Sequence, residues 1–310
     1  MSWVLISLIG SILSALVSIF DKTITYRFGQ SSKVLPLLVG ILQTSVGLSL
    51  LIVLSIFNNE IFIFSDNEFI KAMLFASLSG VLFGTSGNIM LRILHGNEVS
   101  RTVPITQTYP LFTVLIAYFF LDEIIATSQW ISIFSIILGA AVISTNTSNN
   151  TNNRFTYHSA LPLLLSSFIQ SIAYAFAKLA LGSLPVILTH ALRELFLGLV
   201  FISINLRKQT FIFVKELWNT KSPAIKLVGI NELVTANISL LLIVWALSLG
   251  PVSLVSSIAS TRVLFVVILG LIVGKYSNKS LGEELHRRTI ATKVIGALLI
   301  VIGIFGITVS

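Results

Sequence analysis

A chain of 310 residues that is 55% hydrophobic and only 10% charged, with a mean hydropathy of +0.96, carries more apolar surface than a water-soluble globule of its size can enclose, so it reads as an integral membrane protein. Its formal charge of +8 and pI near 9.8 would suggest nucleic acid for a soluble protein, but membrane proteins gather Lys and Arg in cytoplasmic loops, and nucleic acid is set aside as a partner. The absence of cysteine excludes disulfides, thiolate metal sites and cysteine nucleophiles.

Spanning about 30 Å of hydrocarbon takes roughly 20 helical residues. Apolar runs near that length predict about ten transmembrane helices, at residues 3–23, 34–57, 69–94, 99–121 and 128–145, then 159–181, 185–206, 224–249, 251–274 and 289–309. The first run lacks the basic segment that precedes a secretory signal, and its pattern recurs in mid-chain, so it reads as a retained helix. Between the two sets of five lies a polar Asn/Thr-rich stretch, residues 146–157, which reads as a linker. An odd number of helices on each side sends the second set into the membrane from the opposite face. The expectation is therefore an all-α membrane protein of two inverted five-helix repeats, 1–145 and 158–310.

Repetition in the sequence supports this. The fourth run, VSRTVPITQTYPLFTVLIAYFF, returns as VSLVSSIASTRVLFVVILGLIV, with Val99/Val252, Ser100/Ser253, Thr108/Thr261, Leu111/Leu264, Phe112/Phe265 and Val114/Val267 all matching at one offset. The first and sixth runs pair Ser11 with Ser167, Phe20 with Phe176 and Lys22 with Lys178. The second and seventh pair Gly47 with Gly198 and set Gln43 opposite Glu194; the third and eighth pair Gly80 with Gly229 and Asn88 with Asn237. Gly80, Gly84 and Gly87 recur at intervals of three and four on one helix face, which predicts close contact with a neighbouring helix rather than a ligand loop.

At these residues the chain resembles the EamA-type ten-helix transporters of the drug/metabolite transporter superfamily. The resemblance rests on the passage from Gly87 through the Val-Ser start, mid-helix Pro110 and the acidic pair Asp122 and Glu123, on its echo over residues 250–275, on GEELHRR at 282–288, and on Gly139 and Gly303 in the closing helices. It implies a secondary transporter of a small polar metabolite (amino acid, nucleotide-sugar or drug-like solute), an exporter in the plasma (inner) membrane, working by alternating access. It implies both termini in the cytoplasm. The positive-inside rule gives the reverse: Lys22, Arg27, Lys33, Arg154, Arg207, Lys208, Lys215, Lys221, Lys275, Lys279, Arg287 and Arg288 all lie in or beside odd-numbered connections. The loop at 58–68 also lacks the basic cluster that many of these transporters carry, whereas residues 207–223 are strongly basic.

A charged side chain at a helix centre costs about 2.5 to 3.5 kcal/mol on insertion scales, so those within spans should face the interior, paired or binding. Arg193, Glu194, Glu232 and Arg262 fall deep in their runs and are the first candidates to line a substrate cavity. The acids suit a proton or a cationic group, which leaves proton coupling open; the arginines suit a carboxylate or phosphate. His190, one turn from Glu194, is a candidate relay or a packed polar residue. Gln43, Asn88, Gln107, Tyr109, Asn237 and Trp245 are candidates for the cavity wall, with interhelical bonding as the alternative for the amides. Lys22, Lys178, Arg92 and Arg101 are candidates for gating or for charge placement at helix ends.

Two other functions have to be weighed. Gly84-Thr85-Ser86-Gly87 spells the G-x-S-G of an intramembrane serine protease, which would need His190 or His95 beside the serine as base. A channel would need a filter from re-entrant loops or repeated subunits, and none is visible. No HExxH or phosphate-cradling loop is present, so no enzyme, metal or cofactor is expected. The expected partners are a small-molecule substrate and the lipid bilayer; a homodimer is left open.

Overall fold

The computed structural model describes residues 2–28, 33–57, 67–96, 99–144, 157–276, 295–296 and 298–306. The expected linker, the 282–288 segment and most of the 58–68 loop lie outside them. Among the described residues there is no strand, and seven helical stretches are long and apolar enough to cross a membrane.

The expected helices α1 (Trp3–Phe28), α2 (Val34–Phe57) and α3 (Asn67–Gly96) are continuous. The fourth expected helix is two: α4 (Val99–Thr106) and α5 (Tyr109–Phe120) meet at a tight turn over Gln107 and Thr108. Pro110, in the first turn of α5, has no N–H to continue the ladder across that point. The fifth is α6 (Thr127–Ser144), the sixth α7 (Tyr157–Ala180), the seventh α8 (Val186–Asn205). The ninth is broken like the fourth, into α12 (Val252–Ala259) and α13 (Arg262–Tyr276) around Ser260 and Thr261. These are the residues that the internal match pairs with Gln107 and Thr108. Of the tenth, residues 295–296 and 298–306 are helical.

Two features depart from the expected scheme. The basic stretch after α8 is not a plain loop: α9 (Lys208–Asn219) buries Thr210 and Val214 and leaves Phe211, Ile212 and Trp218 exposed beside its lysines, as a helix lying along a bilayer interface does. The eighth helix is interrupted: α10 (Pro223–Ile230) passes into a π-helical turn (Asn231–Ala236) before α11 (Asn237–Leu249). There the Asn237 side-chain amide donates to the Glu232 carbonyl at 2.7 Å, inserting a side chain into the backbone ladder.

Several of the main contacts exchange when the first five spans are swapped with the second five, although α3 on α8 has only a much smaller counterpart between α2 and the eighth span. α3 packs on α7 as α11 packs on α1; α5 packs on α7 as α13 packs on α1; α5 meets α12 as α4 meets α13; and α2 packs on α8. At the centre, α8 lies against α2 and α3 with almost no side chain between. A Cβ on Gly80 would fall 2.5 Å from the Arg193 carbonyl oxygen, and one on Gly47 would fall 2.7 Å from Leu195 Cα and 2.8 Å from the Ala191 oxygen. The expected glycine face is therefore a helix contact. Because backbone cannot give way, Gly47→Ala should lower thermal stability in detergent by about 1–3 kcal/mol or more, the range for overpacking. Gly229→Ala, with nothing within 4 Å of its Cβ, should not; equal melting of the two variants would contradict this packing.

Candidate functional site

The face at which α1 begins, here the proximal face, is sealed by a buried cluster that includes Ile6, Tyr109, Tyr174, Leu247 and Val252, with Trp3 packed against it. Beneath it, near mid-span, lies a cavity of about 140 Å³. Its polar wall is built from both halves of the chain: Asp21 from α1, Gln43 from α2, Gln107 from the α4–α5 turn, Glu232 from the π-helical turn and Arg262 from the head of α13. Tyr109 and Tyr174, stacked with centroids 5.1 Å apart, and Phe83 supply its aromatic surface.

The wall is hydrogen-bonded into one network. The Asn231 amide donates to Asp21 Oδ1 at 2.9 Å and to Glu232 Oε1 at 3.0 Å, so a single side chain holds two acids side by side. Gln43 Nε2 donates to Glu232 Oε2 at 3.0 Å, and Asn237 Nδ2 donates to Gln43 Oε1 at 3.0 Å. Arg262 donates from Nε to Ser18 Oγ at 3.0 Å and lies within electrostatic range of Asp21. The wall thus carries two carboxyls and one guanidinium, a surplus of acid. Both broken helices place a polar side chain here, Gln107 and Arg262, because each break turns a helix end toward the interior.

Of the expected cavity residues, Glu232, Arg262, Gln43, Gln107 and Tyr109 line it. Arg193, Glu194 and His190 do not. They are buried on α8 outside the wall, Arg193 with its guanidinium 5.2 Å from the Phe83 ring centroid and His190 Nδ1 3.5 Å from Glu194 Oε1. Asn237 stands one layer back, holding Gln43. Asn88 is bound elsewhere, accepting from Asn205 Nδ2 at 2.9 Å, while Asn205 Oδ1 accepts from Arg92 at 3.2 Å; the three tie α3 to α8. Trp245 is 44% exposed on the outer surface and has no part in the wall, a correction that follows from its angular position on α11. The Arg101 side chain lies outside the described residues. Asp21, Gln170 and Tyr174 are wall residues that sequence reasoning missed. Asp21 could have been found by the rule that found Glu232, an acid inside an apolar run.

The matched lysines do a matched job. Lys22 Nζ donates to the Leu94 carbonyl at 3.2 Å, near the end of α3, and Lys178 Nζ donates to the Leu247 and Gly250 carbonyls at 2.8 Å each, at the end of α11. Each therefore satisfies backbone acceptors that a helix end leaves open. Glu123 completes the proximal corner: its carboxylate accepts from Val252 N at 2.6 Å, Ser253 N at 3.2 Å and Ser253 Oγ at 2.6 Å, capping α12. On the opposite, distal face, partial burial and then the nearby Arg207 and Arg92 lower the pKa of Lys33, at the head of α2, which marks positive charge gathered there.

Ser86 of the G-x-S-G sequence bonds to the Ser166 carbonyl at 2.9 Å and hydroxyl at 2.8 Å, and no histidine contacts it among the described residues. His190 is turned to Glu194 instead.

Residues 1–145 match the model of the EamA-like transporter family, which belongs to the drug/metabolite transporter superfamily. Over those residues the chain is similar to that family, and the protein is an all-helical, multi-pass membrane protein. The whole chain is also similar to a solved structure titled only "Crystal structure of protein", at 14% identity and a TM-score of 0.66, covering 99% of this chain and 96% of that one. At that identity the likeness speaks for the fold alone. No curated protein matches the chain.

Proposed function

We propose that the chain is a secondary transporter that moves a small zwitterionic solute through the central cavity by rocking two inverted five-helix repeats, 1–145 and 158–310, about it. The observation that carries this is the pairing of acids with an arginine in one cavity wall. Asp21 and Glu232 suit an ammonium group, and Arg262 suits a carboxylate, onto which its planar guanidinium can fork two donors. The tyrosine pair and Phe83 offer an apolar body for the remainder of the solute.

At about 140 Å³ the cavity is smaller than the roughly 300–1,000 Å³ of drug-sized pockets, which favours an amino-acid-sized solute over a nucleotide-sugar. Outward movement is the direction that the family likeness suggests, in the plasma (inner) membrane. The matched helix breaks, the matched lysines and the exchangeable contacts support the repeat reading. The protease reading draws no support from Ser86, whose partners are Ser166 and Gln170.

Purified protein in liposomes, offered a pool of radiolabelled amino acids at equal pH on both sides, should show saturable exchange of one or a few of them. Exchange of uncharged sugars or nucleotide-sugars with none of amino acids would overturn the assignment of solute class.

A further inference from the structure

Outside the cavity wall, α8 carries a second buried polar cluster that the solute reading does not use. His190, Arg193 and Glu194 are each no more than 4% exposed, and Asn237 beside them is 8% exposed. Four of their polar atoms have no hydrogen-bond partner: His190 Nδ1, Arg193 Nε, Glu194 Oε2 and Asn237 Oδ1. His190 Nδ1 and Glu194 Oε1 approach to 3.5 Å, close enough for charge to matter and too long for a good hydrogen bond. Unmet buried groups of this kind are costly in a purely structural core, where about 1–3 kcal/mol is lost for each. Packing alone gives α8 no reason to hold an acid and an imidazole in this form.

The surroundings are sparse in charge. α2 presents Gln43 and Thr44, and both α2 and α11 have no ionisable residue. α3 carries its own, Glu68, Lys71, Arg92 and His95, in its outer turns, away from Gly80, which meets Arg193. Among the described residues, the charged or titratable groups facing the cluster are Arg193 on the same helix, Glu232 in the π-helical turn, within electrostatic range of Glu194, and Tyr174 of α7, near Arg193. Asn237 and Gln43 bridge the space: Asn237 donates to Gln43 and to the Glu232 carbonyl, and Gln43 donates to the Glu232 carboxylate.

We propose that the His190–Glu194 pair is a proton-binding site, separate from the solute cavity and linked to it through Glu232. The proton comes from water and binds Glu194 at its unpartnered Oε2, turning a carboxylate into a neutral acid, and it returns to water when the site empties. Two like charges in one low-dielectric interior oppose each other, so a charge on Glu232 favours a proton on Glu194 and the reverse. A cationic solute group at Glu232 favours its ionised form, so solute occupancy and the Glu194 proton are coupled. That coupling rests on the transport reading above; the site itself does not.

The test is a pH titration of the purified protein by infrared difference spectroscopy, following the carbonyl stretch of protonated carboxyl groups. It uses no solute, so its failure and the failure of the transport reading are separate results. The expected result is a titrating carboxyl band that Glu194→Gln removes. His190→Gln should keep the band and move its midpoint by about one pH unit, equivalent to about 1.4 kcal/mol. Glu194→Gln, which removes the charge facing Glu232, should also move the midpoint of the Glu232 band, identified as the band that Glu232→Gln removes. A set of titrating carboxyl bands that Glu194→Gln leaves unchanged, a Glu194 band whose midpoint the His190 variant does not alter, or a Glu232 band that Glu194→Gln does not move would overturn the proposal.

Discussion

Glutamine in place of Glu232 should leave a folded, monodisperse protein whose amino-acid exchange in liposomes falls about 10- to 100-fold. The change preserves shape, so the π-helical turn and its neighbours need not move. It removes the charge that the Asn231 and Gln43 amides both point at, from 3.0 Å each. Hydrogen bonds to a charged group are worth about 1.5–3 kcal/mol, and losing one toward a bound ammonium gives a drop of that order. The new amide must also turn one of its own donors toward Asn231 or Gln43, both of which donate there already. Asp21→Asn should act in the same direction, because it shares the Asn231 amide. Trp245→Ala, on the outer wall, should stay within about twofold of the parent chain. Exchange in Glu232→Gln as fast as in the parent would remove the acid from the solute site.

Alanine in place of Glu123 should unlatch the proximal face. Its carboxylate accepts two backbone N–H groups and one hydroxyl at the start of α12, while Lys178 holds the last carbonyls of α11 a few residues earlier. Between them a carboxylate from the first half and a lysine from the second pin the α11–α12 corner over the buried cluster that seals the cavity. Charge-assisted bonds of this number, even far from additive, hold several kcal/mol, and a shift of about 3 kcal/mol moves a two-state equilibrium more than a hundredfold. Since the chain has no cysteine, a single Met90→Cys on the cavity wall can report access directly. In that background Glu123→Ala should raise labelling by an impermeant maleimide from the proximal face at least about tenfold. Unchanged labelling would show that the latch does not hold the seal.

How much of this was readable beforehand depends on which coordinate of a side chain the argument needed. Depth along a span follows from the rise per residue, and on that basis Glu232 and Arg262 were placed at mid-membrane, where the cavity is. Direction around the helix axis does not follow from depth. Arg193 and Glu194 are as deep as Glu232, yet they sit on α8 outside the cavity wall, and Trp245 faces outward. In a soluble helix the apolar stripe reveals the inner face; in a lipid-facing bundle both faces are apolar and that signal fades. Glycine spacing survives, because close approach needs small residues whatever the solvent, and Gly80 and Gly84 meet α8 as expected. The matched Lys22 and Lys178 were legible as a pair, although what they touch was not. Asp21 lies close to the end of the expected run 3–23, but α1 continues to Phe28 and carries it inside. The turns at Gln107–Thr108 and Ser260–Thr261 were hidden because an apolar run reads the same whether its helix is whole or broken.

Alternating access is the claim on which the rest hangs, and Met90→Cys in the otherwise unaltered chain tests it most directly. Impermeant maleimide would be added to one face and then the other of oriented vesicles, with and without an exchanging amino acid. Labelling from both faces, with the amino acid raising the rate on one and lowering it on the other, is the predicted result. Labelling confined to the same single face under every condition, or absent from both, would contradict it.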